Sequence, residues 1–380
     1  MRLVLTEDQR ELRKTASAFA ADRSPLSRVR KLRDAGDRLG YSRDVWRQMA
    51  DLGWTGVCFA EADGGAGLGL AEVVVLAEAL GRTLTPEPLL SSVMLAGQAL
   101  AAAGTDRQRA ELLPPLIAGK IVLALAFQER GARFDLHRVS TRAEGAPGGY
   151  RLVGTKIQVM DGAGADGFVV VARTSGAAAD VEGISLFYVP TGAAGLRVEG
   201  QHRLDGRGCA LVGLEGVEVP AASLIGELGK GAAVVDSVVD RATVALCGET
   251  LGGMSEAFER TLAYLKERVQ FGVAIGSFQA LKHRAARVFV EIELARSAVM
   301  AAARAVDERA PHAAAFVSAA KARCSDAYVL AANEAVQMHG GIGMTDEHDI
   351  GFFMKRARVA EMTFGDGAYH RDRFARICGF

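Results

Sequence analysis

The spacing of apolar positions changes twice along the chain. Over the first third it is helical. Thr6 and Gln9 form a capping box ahead of Leu12, Ala16, Phe19 and Ala20, which share one helix face. Residues 45–52 repeat the pattern and stop at Gly53; residues 70–80 and 92–103 read as strongly apolar helices. Residues 107–117 form a further helix that Pro114-Pro115 is expected to break. The basic stretch 23–38 has no clear period and reads as a solvated loop or a short helix, not a nucleic-acid patch.

From Ile121 the texture becomes one of short β-branched runs separated by Gly and Asp. Tyr150-Arg151-Leu152-Val153, Phe168-Val169-Val170-Val171 and Ile184-Ser185-Leu186-Phe187-Tyr188-Val189 are three of them. Pro147-Gly148-Gly149 and Asp161-Gly162 lie between runs at hairpin-like spacing. After Gly229-Lys230-Gly231 long helices return, over 234–263, 278–307, 313–337 and from about Gly367. The pattern predicts an α+β chain of three domains: an N-terminal all-α domain (1–121), a middle β domain (122–229) and a C-terminal helical bundle (230–380). No internal repeat is visible.

Charge and composition narrow the partners. The 380 residues include 45 basic and 45 acidic side chains, so no net field attracts nucleic acid or an anionic membrane. A hydrophobic content of 49% is ample for large cores. Cys58, Cys209, Cys247, Cys324 and Cys378 are scattered without metal-ligand spacing, which suggests reduced thiols. The opening Arg2-Leu3-Val4-Leu5 is no secretory signal, and no apolar run is long enough to span a bilayer. The expectation is a cytoplasmic protein.

Two polar corners set between helices carry the candidate chemistry. One is Glu267-Arg268-Val269-Gln270-Phe271-Gly272 with Ile275-Gly276-Ser277-Phe278-Gln279; the other is Gln337-Met338-His339-Gly340-Gly341-Ile342-Gly343. Arginine and glutamine offer donors, and paired glycines let a backbone approach a bulky anion, as a dinucleotide pyrophosphate requires. No strand leads into either corner, so neither is a Rossmann fingerprint. Asp63-Gly64-Gly65-Ala66-Gly67-Leu68-Gly69 also has a composition that suits phosphate, but a turn before a helix is the simpler reading.

Taken together, R-x-Q-F-G-x-x-I-x-x-F-Q followed by Q-x-H-G-G-I-G resembles the C-terminal half of acyl-CoA dehydrogenases, and the helix–β–helix order fits that family from end to end. The resemblance implies an N-terminal helical domain, a middle β-barrel-like domain and a C-terminal four-helix bundle that builds a tetramer. It implies FAD and the α,β-dehydrogenation of an acyl-CoA thioester. A carboxylate takes the α-proton, hydride goes to the flavin, and electrons pass on to an electron-transferring flavoprotein. Arg268, Gln270, Phe271 and Gln279 match the family's pyrophosphate and adenine contacts, which Gln337, Gly340 and Gly341 complete. In that family these contacts reach the FAD of the neighbouring subunit.

The departures from the family are informative. Relatives carry the base as a glutamate in a "Y-E-G-T"-like turn; here the turn reads Thr363-Phe364-Gly365-Asp366-Gly367, with Gly365 at the aligned position and Asp366 one residue late. A second family placement for the base falls on Ala242, beside Thr243. Asp366, Glu249 and Glu361 remain as candidate carboxylates, with Asp366 either the base or a turn residue. The "T-E-P-x-A-G-S-D" segment reads Gln128-Glu129-Arg130-Gly131-Ala132-Arg133-Phe134-Asp135, and "W-I-T/S" reads Ile157-Gln158-Val159-Met160. Gln128 and Gln158 are candidates to bond the flavin's pyrimidine edge; Met160 has no donor for N5.

These losses, with Phe364-Gly365-Asp366 and His370-Arg371, resemble the small subunit of pimeloyl-CoA dehydrogenase and related two-subunit bacterial enzymes. The expectation is a homotetramer, or a heterotetramer with an unlike acyl-CoA dehydrogenase subunit. Two other readings stay open on the same fold: a structural subunit that completes a partner's FAD site, and a flavin oxidase or monooxygenase with an aspartate base.

Overall fold

The computed structural model describes residues 4–380, so Arg2 and Leu3 of the opening segment lie outside it. The helices are α1 (Glu7–Arg23), α2 (Leu26–Asp34), α3 (Arg43–Asp51), α4 (Leu70–Gly81), α5 (Gln98–Ala103) and α6 (Asp106–Ile117). After the β region come α7 (Ala232–Glu267), α8 (Gln279–Asp307), α9 (Ala313–His339), α10 (Ile350–Met362) and α11 (Gly367–Cys378). The chain forms two compact units. The first comprises Met1–Arg30, Gly69–Thr85 and Thr243–Phe380; the second comprises Lys31–Leu68 and Pro86–Ala242. Helix α7 passes from the second into the first.

The first unit is helical. Its opening follows the capping box: the Gln9 N–H donates to Thr6 Oγ1 at 3.2 Å and the Thr6 N–H to Gln9 Oε1 at 3.0 Å. The spare Gln9 amide N–H then reaches Glu72 Oε1 at 2.8 Å, tying α1 to α4. Helices α8 and α9 pack as a pair whose register is set by Arg284–Glu334 (2.7 Å) and Arg323–Glu291 (2.6 Å). Helix α10 has no counterpart in the sequence reading, where 350–362 was not read as a separate helix.

The second unit holds the β strands: β1 (Leu123–Ala126), β2 (Arg142–Ala146), β3 (Gly149–Met160), β4 (Gly167–Arg173), β5 (Ile184–Pro190), β6 (Leu196–His202), β7 (Gly208–Pro220) and β8 (Leu224–Ile225). They are paired in the order β6-β7-β3-β2-β4-β5-β8, with β1 added parallel to β4. The β-barrel-like expectation is therefore wrong: the sheet is open. Among the described residues nothing pairs β6 with β8, and β2 meets β4 through the single pair Arg142–Arg173.

The physical reason lies in how this sheet buries its apolar side chains. One core cluster takes Phe168, Val170, Phe187 and Val189 from one end of the order and Leu152, Val212, Leu214 and Val217 from the other. Core burial is thus achieved without closing the ladder. β6 is left as an edge carrying Arg197, Glu199 and Gln201, polar residues that discourage further pairing.

A second correction concerns α6, which runs unbroken through Pro114 and Pro115. The two prolines sit in its last turn. The N–H groups they lack would have served Ala110 and Glu111, both exposed, so water can satisfy those carbonyls. Helical residues do begin before position 92, but Leu89–Gly97 is a π-helical stretch leading into α5.

Candidate active site

At the end of α7 the chain turns through β9 (Val269–Gln270) and β10 (Val273–Ala274) before α8. The residues between them, Phe271 and Gly272, have φ of 54° and 80°. Two adjacent positive φ angles are those of a type I′ hairpin turn. Glycine adopts that conformation freely, whereas phenylalanine does so at a cost of about 1–2 kcal/mol. The Phe271 ring is nonetheless 92% exposed and meets Phe278 edge-on, with centroids 6.1 Å apart. A strained, exposed aromatic residue suggests a functional constraint at that position.

The second corner lies alongside. Tyr264, one turn before Arg268, stacks on His339 with ring centroids 4.5 Å apart. The buried His339 is oriented by its Nδ1–H, which donates to the Ala335 carbonyl at 2.7 Å. Gly340 follows with φ of 67°, and a Cβ on Gly340 or Gly341 would meet nothing within 4 Å, so the backbone there is open to approach. Arg268, Gln279 and Gln337 are exposed, and their side chains have no partner among the described residues. The Gln270 amide donates to the Val269 carbonyl at 2.8 Å. Arg268, Gln270, Phe271, Gln279, Gln337, Gly340 and Gly341 thus belong to two adjoining corners. An uncommitted guanidinium, two uncommitted carboxamides and an aromatic pair fit the pyrophosphate and adenine of FAD.

Asp366 starts α11. Its Oδ1 accepts the Tyr369 N–H at 2.8 Å, an N-cap that satisfies one of the helix's first donors. The turn before it is held from below. Lys321, 1% exposed, donates to the carbonyls of Gly365 (2.7 Å) and Glu361 (3.0 Å) and to Ser325 Oγ (2.9 Å). His370 Nε2–H donates to the Phe364 carbonyl at 3.1 Å, leaving Nδ1 to accept from the Ser318 hydroxyl at 3.4 Å. Burial, reinforced by Lys321, pushes His370 down to about 3, so the ring is neutral. Burial also brings Lys321 down to about 8. Gly365 has φ of 115°, and a side chain there would strike Tyr369 and His370. This turn therefore has no room for a glutamate at the family position.

The other two carboxylates are engaged in ion pairs. Glu249 Oε1 lies 2.7 Å from Arg356 Nε, and Glu361 pairs with Arg358 at 3.0 Å.

In the second unit the Ile157 N–H donates to the Gln128 carbonyl at 2.9 Å, which sets the Gln128 backbone against the residue preceding Gln158. Gln158 sits in a β3 irregularity, with φ of 52° and an exposed side chain. Beneath, the fully buried Lys156 donates to Glu129 Oε1 at 2.6 Å, and the Ser140 and Thr141 N–H groups complete the carboxylate's shell. The glycine-rich turn is no phosphate cradle. Its N–H groups are used internally, Gly65 to Ala60, Ala66 to Gly56 and Gly67 to Phe59, and a Cβ on Gly65 would collide with Phe59.

Lys321, Arg356 and Lys156 were missed in the sequence. The signal for Lys321 was present: it shares a helix face with Val317, Cys324 and Tyr328, all buried, and a lysine in an apolar stripe calls for partners.

Three family models match the chain: "Acyl-CoA dehydrogenase, N-terminal domain" over 6–120, "middle domain" over 124–215 and "C-terminal domain" over 229–378. Mitochondrial isovaleryl-CoA dehydrogenase of Pongo abelii is 31% identical over 376 residues, covering 97% of this chain and 88% of that protein. A chain of the ChsE4-ChsE5 complex from Mycobacterium tuberculosis superposes with a TM-score of 0.89 at 27% identity, over 100% of this chain and 99% of that one. The FAD complex of PigA superposes with a TM-score of 0.92 at 25% identity, with the same coverage. Fold, corner chemistry and these likenesses agree: the chain belongs to the acyl-CoA dehydrogenase family, as an FAD-dependent oxidoreductase acting on an acyl-CoA-type substrate.

Proposed function

We propose that this chain dehydrogenates an acyl-CoA thioester as one subunit of a heteromeric enzyme, and that its two corners complete a flavin site shared with an unlike subunit. The observation that carries the reading is the uncommitted donor set. Arg268, Gln279 and Gln337 project from the unit's surface without partners, beside an exposed and strained Phe271. Such side chains break no internal bond when they meet a pyrophosphate and an adenine, and a charge-assisted bond to phosphate is among the stronger ones. Gln128 and Gln158 are the proposed contacts to the pyrimidine edge of the ring. FAD, when bound, supplies the hydride acceptor; the chain's part is to hold it and to orient the thioester. Within this reading the three domains keep the bounds 1–121, 122–229 and 230–380.

Asp366 is the carboxylate this chain offers at the substrate turn. It does so from a cap position, which fixes one oxygen on α11. That constraint, with Glu249 and Glu361 tied to arginines, favours a division of labour with a partner over a self-sufficient site. The likeness to a chain of a two-component complex supports the same division, and resemblance to the small subunit of pimeloyl-CoA dehydrogenase would place the enzyme among bacterial two-subunit dehydrogenases. We assign the electrons to an electron-transferring flavoprotein and the enzyme to the cytoplasm; among the described residues no helix is long and apolar enough to cross a membrane.

The test is the visible spectrum of the chain purified alone, followed by anaerobic addition of a panel of acyl-CoAs. A colourless protein, or a yellow one that no thioester bleaches, that gains both properties with its partner supports the reading. Full bleaching by the isolated chain would replace it with a self-sufficient homomeric dehydrogenase.

A further inference from the structure

The first unit contains a cavity of about 590 Å³ between α1, α4, α7 and α8. None of Arg268, Gln279, Gln337, Glu249 or Asp366 lines it. Its apolar wall is built by Val74, Val75, Leu251, Met300 and Ala303, its charged wall by arginines of α1 and α8, by Arg82 just after α4, and by Glu78 and Glu259. Most of those arginines are neutralised. Arg82 is held by Glu256 and Glu259, Arg296 by Glu78 and Glu293, and Arg10 by Glu7.

Two are not. Arg13 and Arg304 make no side-chain hydrogen bond or ion pair among the described residues, and Arg304 Nη1 is buried with no acceptor. The nearest carboxylate along α8, Asp307, is committed elsewhere: its oxygens accept the Leu70 and Ala71 N–H groups at 2.9 and 3.2 Å and so cap α4. Arg13 and Arg304 both line the cavity, so its wall carries two guanidinium groups that no carboxylate of the described residues pairs with. The cavity is of the size that holds a small organic ligand.

We propose that this cavity binds an aliphatic carboxylate. The carboxylate bonds to the Arg304 guanidinium, with Arg13 at the rim, and the hydrocarbon lies against Val74, Val75, Leu251 and Met300. The carboxylate supplies the counter-charge that Arg304 and Arg13 lack, and a fork-shaped guanidinium prefers a carboxylate over a neutral oxygen. A thioester lacks that charge, so the site distinguishes the free acid from the acyl-CoA. This proposal does not depend on the flavin assignment.

Decanoate is the probe, titrated calorimetrically into the flavin-loaded protein with any partner subunit present, in the absence and presence of saturating decanoyl-CoA. The expected result is one decanoate per chain, retained under decanoyl-CoA and bound about tenfold or more tighter than decan-1-ol. Arg304→Gln lowers the affinity by a similar factor, and Met300→Trp, which fills the cavity, removes binding while flavin content and acyl-CoA turnover stay at the starting level. Displacement of decanoate by decanoyl-CoA would overturn the proposal. So would equal binding of decan-1-ol, or unchanged affinity in the substituted proteins. Should Arg304→Gln fail to fold, Arg13→Gln, at an exposed position, reads the charge contribution instead.

Discussion

Glu249 on α7 and Arg356 on α10 form an ion pair, carboxylate oxygen to Nε at 2.7 Å, with the arginine 3% exposed. That pairing turns a candidate base into a structural member. Removing one partner of a buried pair strands the other charge, at a typical cost of about 3–5 kcal/mol. Glu249→Gln is therefore expected to lower stability to denaturant by that order, while the folded fraction keeps its rate of flavin bleaching by substrate. A base would behave in the opposite way, with stability kept and bleaching lost.

Asp366 permits a cleaner separation. Asparagine caps a helix about as well as aspartate, so Asp366→Asn should leave stability within roughly 0.5 kcal/mol, whereas Asp366→Ala should cost about 1 kcal/mol. If Asp366 takes the α-proton, the asparagine variant loses anaerobic bleaching, since a carboxamide is no base at neutral pH. Full bleaching in a stable Asp366→Asn protein, assembled with its partner, would assign the base to the partner. Gly365→Glu is not a rescue. With φ of 115° and Tyr369 and His370 where its side chain would go, that variant is expected to destabilise the turn.

Lys321 makes stability depend on pH in a defined window. In the folded protein burial lowers it to about 8, against an ordinary value near 10.5. Between those values the unfolded chain holds the proton that the folded chain has released, so this group's contribution to stability rises with pH from about 8 to 10.5. The full rise is on the order of 3 kcal/mol. Neutral Lys321 still donates to the Glu361 and Gly365 carbonyls and can accept from the Ser325 hydroxyl, so the turn persists. Urea unfolding at pH 7.5 and pH 10 should show a gain in the wild type that exceeds the gain in Lys321→Met by most of this increment; the variant keeps the like contribution of the buried Lys156, which burial also lowers to about 8. Equal pH dependence in the two proteins would mean that Lys321 titrates as an exposed lysine.

What was legible in the sequence follows from the range of the interactions concerned. The Thr6–Gln9 capping box, the Gly53 stop and the period of α4 are written within a few residues, and the structure reproduces them. The two corners were legible because each is a contiguous motif, and the Tyr264–His339 stack now shows them side by side. The open sheet was not legible, because closure depends on whether β6 finds a partner at the far end of the strand order, a non-local fact that alternation within β6 does not encode. Lys321 and the turn it holds are separated by more than one helix, so nothing near Gly365 announces a buried ammonium beneath it. Pro114-Pro115 misled for a simpler reason: a proline breaks a helix interior, and here the helix was already ending.

Arg268 is where the flavin assignment can fail most directly. Its guanidinium is exposed and bonds to no other side chain, so Arg268→Ala removes no internal contact, and melting temperature in the flavin-free protein should not move. A charge-assisted bond to a phosphate is worth about 1.5–3 kcal/mol, which predicts a fall in FAD affinity of roughly ten- to a hundredfold. Arg268→Lys should recover only part of it, because an ammonium restores the charge but not the two-pronged geometry. Flavin release measured by dilution and filtration, on the chain assembled with its partner, gives the number. Unchanged flavin retention in Arg268→Ala would remove the corner from the cofactor site and leave the strained Phe271 without a role in it.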